Sequence, residues 1–179
     1  VVWSRGRQAN IETKMKLYTS LLRPSLLTGL NALPLTSVEL EKIALYERQM
    51  LRKFFNLRPN NSSVTGLYKL LGMIPIEGMH HLNVLSLFYS IWSNRDNSVF
   101  RLLRYLLSIN TKTFHWIHHV KSICRLYGLP DPSELMAIHA PAKAEWKKYV
   151  KSKVKRFYEQ KIDKKLNSMR TMKILQNSK

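Results

Sequence analysis

The chain has 179 residues, with 30 Lys and Arg against 11 Asp and Glu and a formal charge of +19. A hydrophobic content of 45% supports a packed core, so the charge does not mark wholesale disorder. One cysteine, Cys124, excludes an internal disulfide and a Cys-rich zinc module, and the apolar stretch from Leu82 to Trp92 is too short and too interrupted to cross a bilayer.

Scarce glycine and a recurring 3.6-residue periodicity predict an all-α multi-helix bundle of about seven helices, ending in a long basic amphipathic helix. Val1-Val2-Trp3, with no initiator Met, suggests a piece of something longer. The first apolar stripe is Ile11, Met15, Tyr18 and Leu22, on a helix that Pro24 should kink or end. Residues 28–35 read as a turn. Thr36 with Glu39 fits a capping box opening a helix to about Asn56, with Leu40, Ile43, Ala44, Met50, Leu51, Phe54 and Phe55 inward. The run from Pro59 to Ser63 is the clearest linker. A short helix from Val64 should stop at Gly72, and Pro75 should start a helix to Trp92 that is apolar on most of its circumference and therefore buried. Helices over 98–108 and 113–127 come next, the second closed by Gly128. Leu129 to Pro132 reads as a stiff turn in which Asp131 can cap and Pro132 can open a helix. Pro141 opens the last helix, with Trp146, Val150, Val154, Phe157, Tyr158, Ile162, Leu166 and Met169 as its stripe. Three segments result: 1–58, 64–139 and 141–179.

Charge is unevenly placed. Residues 141–179 hold 13 basic and 3 acidic residues, more than half of the total excess in the last fifth of the chain. Lys143, Lys147, Lys151 and Lys155 recur every four residues, with Lys148 and Arg156 beside them. Like charges at that spacing repel unless an anion neutralises them, and a phosphate backbone does so. The other readings are a solvated lysine face or contact with an anionic membrane surface. A second basic set comprises Lys14 and Lys16 on the polar side of the first helix, flanked by Arg5, Arg7 and Arg23, and Arg48, Arg52 and Lys53 on the helix over 37–56.

His115 and His119, at i and i+4, could supply half a zinc site. No residues complete the shell, so surface or capping roles are expected, with no metal; His80 and His81 read as polar residues at a partly exposed helix end. Paired metal-binding carboxylates, a Gly-rich phosphate loop and a nucleophile elbow are missing, so no catalytic residue is assigned. The lone cysteine and the lack of a secretory signal lead to the expectation of a reducing, intracellular setting, nuclear or cytoplasmic.

The segment Lys16-Leu-Tyr-Thr-Ser-Leu-Leu-Arg-Pro-Ser-Leu-Leu-Thr-Gly-Leu30 resembles the stretch immediately after the catalytic palm in non-LTR (LINE-type) retrotransposon reverse transcriptases. Leu40 to Leu57, with Glu47-Arg-Gln-Met-Leu-Arg-Lys-Phe-Phe-Asn-Leu57, resembles the long helix of that region. Leu67-Tyr-Lys-Leu-Leu-Gly-Met-Ile-Pro-Ile-Glu77 is similar to its downstream Leu-Gly-x-x-Pro-Ile segment. Tyr127 to Pro132 and Glu145-Trp-Lys-Lys-Tyr-Val-Lys151 resemble the C-terminal extension of some invertebrate elements. Thr28 stands where the family usually has Tyr, and Asn31 where Glu is common. The resemblance implies a thumb and post-thumb region. Its partners would be the palm and fingers of the parent reverse transcriptase and a template–primer, RNA, DNA or hybrid, gripped without sequence readout. Mg2+ would be needed only in the parent palm, and this chain would not polymerise alone. The competing expectation is a helical protein–protein interaction module with a basic solvated face.

Overall fold

The structure, a computed structural model, describes residues 10–56, 63–109 and 116–168. The fold is all-α, and among the described residues there is no strand. The elements are α1 (Ile11–Leu17), a π-helical turn (Tyr18–Leu22), α2 (Arg23–Leu27), α3 (Ser37–Phe54), α4 (Val64–Leu70) and α5 (Ile76–Trp92). They continue with α6 (Ser98–Ser108), α7 (Trp116–Tyr127), α8 (Pro132–Ala137) and α9 (Lys143–Asn167). A 3-10 turn, Leu30–Ala32, lies between α2 and α3. Among the described residues, counting the continuous run 11–27 once, one short helix, α8, comes in addition to the seven expected. Residues 59–62 of the expected linker, residues 113–115, and Arg5, Arg7 and Met169 lie outside the described residues.

The chain does not leave helical geometry at Pro24. Proline cannot donate a backbone bond, and its ring collides with the carbonyl four residues earlier in a regular α-helix. The π-turn relieves that conflict by widening the turn just before it, with Arg23 N donating to Tyr18 O. Hydroxyls serve the carbonyls around it: Thr19 Oγ1 donates to Met15 O (2.8 Å), Ser20 Oγ to Lys16 O (2.5 Å) and Thr28 Oγ1 to Pro24 O (2.9 Å).

Elsewhere the local chemistry matches the pattern. Gly72 has φ +59°, Gly72 N donates to Lys69 O (3.2 Å) and Met73 N to Tyr68 O (2.9 Å), which closes α4 in a Schellman motif. Gly128, φ +62°, closes α7 the same way, with Leu129 N on Cys124 O (2.9 Å). Asp131 accepts from Ser133 N (2.9 Å) and Pro132 takes the first turn, so the expected stiff turn also starts a helix.

Two compact units are each assembled from segments distant in sequence, cutting across the three stretches delimited by linkers and charge. Among the described residues the first takes 10–28, 37–56, 63–77 and 157–168, and the second takes 29–36, 78–109 and 116–156. The first unit is built on an apolar cluster of Tyr18, Leu51, Phe54, Val64, Leu67, Tyr68, Met73, Ile162 and Leu166. At its centre lies Glu47, fully buried. Its Oε1 accepts from the Tyr18 hydroxyl and from Arg23 Nε (3.2 Å), and its Oε2 from the Tyr68 hydroxyl (2.5 Å) and Ile76 N (3.0 Å). Arg23 also donates to Ile74 O, so both charges are paired and satisfied out of water. Burial, then the Glu47 carboxylate, hold both tyrosine hydroxyls well above their ordinary pKa.

In the second unit α6, α7 and α8 pack on one another. Of α5, apolar nearly all round, only Ser90 is exposed. Phe88 stacks on Trp92, and Trp92 Nε1 donates to Ile138 O (3.0 Å). Trp116 Nε1 reaches Asn31 O (2.8 Å), which fixes the turn before α3.

Candidate nucleic-acid interface

The outer face of α9 carries the basic ladder. A helix orients its charges only if its other face is held, and here it is held by aromatics. Trp146 stacks against Tyr89 and meets Trp92 edge-on, and Tyr89 donates its hydroxyl to Pro141 O (2.7 Å). Val150 and Val154 are buried along the same stripe. The 3.6-residue repeat therefore turns Lys143, Lys147, Lys148, Lys151, Lys155 and Arg156 outward, and all six are exposed. Lys153 lies over the exposed Tyr149 ring, 5.6 Å from its centre, adding an aromatic surface beside the ladder. All of these belong to the second unit.

The second basic set does not survive as one surface. Lys16 and Lys53 are exposed. Lys14, expected on the polar side of the first helix, is 9% exposed. At that burial little of it is open to a phosphate backbone as the helix stands. Its spacing accounts for the difference: Lys14 and Tyr18 fall at i and i+4, so Lys14 shares the buried Tyr18 side, whereas Ile11, expected on the apolar stripe, is exposed. Arg23, expected as flanking surface charge, is the buried partner of Glu47. Arg48 is tied to Glu41 at 2.5 Å, a half-exposed pair worth at most about 1 kcal/mol.

Arg48 and Arg52 instead line a cleft of the first unit, about 460 Å³ in volume. Two lysines outside both expected basic sets, Lys161 and Lys165, line it from the last turns of α9. They too stand four residues apart, but the register of the ladder continues onto Glu159 and Asp163, so the charges past Arg156 resemble ordinary surface in the sequence.

Of the described histidines, His80 and His81 are interior, His118 and His119 are half-buried and His139 is exposed. His80 is fully buried and His81 nearly so, against the expectation of a partly exposed helix end. His80 Nε2 lies 3.4 Å from His119 Nε2, and His81 Nδ1 lies 2.7 Å from the Tyr127 hydroxyl. Burial, with His119 adding to it, lowers the His80 pKa to about 4, and burial also lowers that of His119. Both rings are neutral at pH 7. Among the described residues no group of three or more His, Cys, Asp or Glu is placed to hold a metal ion, and His115 lies outside them. Cys124 is buried, which pushes its thiol up to about 12. Among the described residues no helix is long and apolar enough to cross a membrane.

No protein-family model matches the chain, and neither a curated protein nor a solved structure matches it.

Proposed function

We propose that this chain is a nucleic-acid-binding helical region, the thumb and linker of a non-LTR retrotransposon reverse transcriptase, which grips a template–primer or target backbone without reading sequence. The observation that carries the binding is the ladder: six exposed cations along the first half of α9, a helix held in place by its buried Trp146, Val150 and Val154. Such an array meets phosphates spaced along a backbone as point charges, which positions the nucleic acid but leaves base edges unread. An RNA–DNA hybrid is close to A-form, with a shallow minor groove that a helix can follow. The family and the thumb role are supported by the Lys16–Leu30 and Leu67–Glu77 resemblances. On this reading the chain has no catalytic centre of its own, and Mg2+ belongs to the parent palm.

The test is affinity for a hybrid duplex across a salt series. Replacing Lys143, Lys147, Lys151 and Lys155 by Gln is expected to weaken binding and to flatten the log K against log salt slope by up to about 0.9 per lost contact. A flat plot for the unaltered chain would overturn the proposal. It would leave the interaction-module reading, favoured by a row on α6 where Val99, Leu102 and Tyr105 are 45%, 56% and 62% exposed.

A further inference from the structure

Arg52 Nε is buried and has no hydrogen-bond partner among the described residues. Buried polar atoms are almost always paired, and a guanidinium stays charged, so this atom is a donor without an acceptor. Arg52 stands in the wall of the first unit's cleft. Arg48 stands one turn away on α3, and Lys161 and Lys165 stand one turn apart on α9. Against these four cations the cleft sets two carboxylates, Glu41 and Glu77. Glu41 is taken up by Arg48. Glu77 lies beside Lys161, and burial pushes its carboxyl above the ordinary range. The floor is apolar, formed by Ala44, Val64 and Ile162. A cleft of about 460 Å³ admits a group of nucleotide size.

We propose that this cleft is a phosphate seat. Arg52 lines the cleft with its guanidinium, and a small turn of that side chain uncovers Nε–H, so that it and an adjacent Nη–H meet two oxygens of one phosphate, the fork geometry that suits such an anion. Lys161 and Lys165 supply the opposing charge from the far wall, and Glu77 limits affinity by repulsion. Two sources offer the same chemistry: a phosphodiester of a nucleic-acid backbone and a free phosphate monoester. The seat rests on the nucleic-acid reading only for the first of these. It differs from the ladder in every residue.

The test tracks the Arg52 Nε–H resonance of the isotopically labelled full chain while inorganic phosphate, a 5′-mononucleotide and a hybrid duplex are added in turn. A saturable shift is expected. Arg52→Gln should weaken phosphate binding at least about tenfold, Lys165→Gln, on an exposed turn, a few-fold, and Glu77→Gln should tighten it a few-fold. A response to the duplex alone assigns the seat to a backbone phosphodiester, and a response to all three probes to phosphate in general. No shift with any probe overturns the seat, as does unchanged affinity in both Arg52→Gln and Lys165→Gln. The ladder variant separates this failure from that of the broader reading: it should keep the phosphate response while its duplex binding weakens and its salt slope flattens. A silent cleft beside a working ladder overturns the seat alone.

Discussion

At the scale of single residues, the molecule hides its most consequential charges. Glu47 sits in register with Leu40, Ala44, Leu51 and Phe54, at the seven-residue positions of the inward face of α3. That position follows from the periodicity, although an acid on the inward face reads in the sequence as ordinary surface charge. Its partners do not, because Tyr18, Tyr68 and Ile76 N lie 21 to 29 residues away and periodicity carries no information about which faces meet. Replacing Glu47 with Ala leaves Arg23 charged and unpaired in the core, and the expected loss is about 3–5 kcal/mol in urea unfolding. His80 gives a pH effect of definite sign. Its pKa is about 4 folded against 6.5 for a free ring, so between those values the unfolded chain binds a proton that the folded one refuses. Its contribution is therefore complete above pH 6.5 and is lost as pH falls toward 4, by at most about 3 kcal/mol before screening by solvent is discounted. The drop in urea midpoint between pH 7.5 and 4.5 should be smaller in His80→Leu than in the unaltered chain; an equal drop would assign the acid sensitivity to other groups.

Among the elements, α9 was the most readable. Its apolar stripe and its lysines repeat with the helix, so one period fixed both the buried side and the exposed one. The caps at Gly72, Gly128 and Asp131 were readable for a similar reason, since each depends on neighbours within a few positions. The π-turn was not, because Pro24 announces only that a regular helix is impossible. The ladder makes an unusual demand on α9. Lys143, Lys147 and Lys151 form two like-charge pairs at i,i+4, each costing about 0.2–0.5 kcal/mol in an exposed helix at low salt. Replacing Lys147 with Gln removes both pairs. We expect that variant to raise the unfolding free energy by about 0.4–1 kcal/mol while weakening nucleic-acid binding. Opposite signs in the two measurements identify a charge kept for a ligand, and a variant that is more stable with unchanged binding would mark Lys147 as solvated surface.

For the whole molecule, chain order is a poor guide to assembly. The first unit is completed by Ile162 and Leu166, and the second by Trp146, Val150 and Val154, all from the last element of the chain. A sequence divides most naturally at linkers and shifts of charge, and neither reports contacts that close over a hundred residues. Ending the chain at Ala142 removes six side chains buried among the described residues, Tyr158 with the five just named, each worth about 2–5 kcal/mol, against a total stability of about 5–15 kcal/mol. The truncated chain should show no cooperative unfolding transition, and Cys124, whose burial keeps it a protonated thiol, should become open to alkylation under native conditions. A sharp transition with Cys124 still protected would mean that the second unit closes without α9.

The π-turn also bears on how this chain tolerates gain and loss of residues. Tyr18 and Arg23 both reach Glu47, yet five α-helical steps would set them about 140° apart. Four steps set them nearly in line. The turn thus holds one surplus residue, placed where Pro24 needs the room. Deleting Ser20 should preserve the buried cluster and disturb only the proline, so that Pro24→Ala in the same chain restores the urea midpoint. The same deletion in α3 would rotate Glu47 relative to Leu51 and Phe54, and no companion substitution would repair it. Related chains would accordingly differ in length by one between Tyr18 and Arg23 in step with whether a proline comes next.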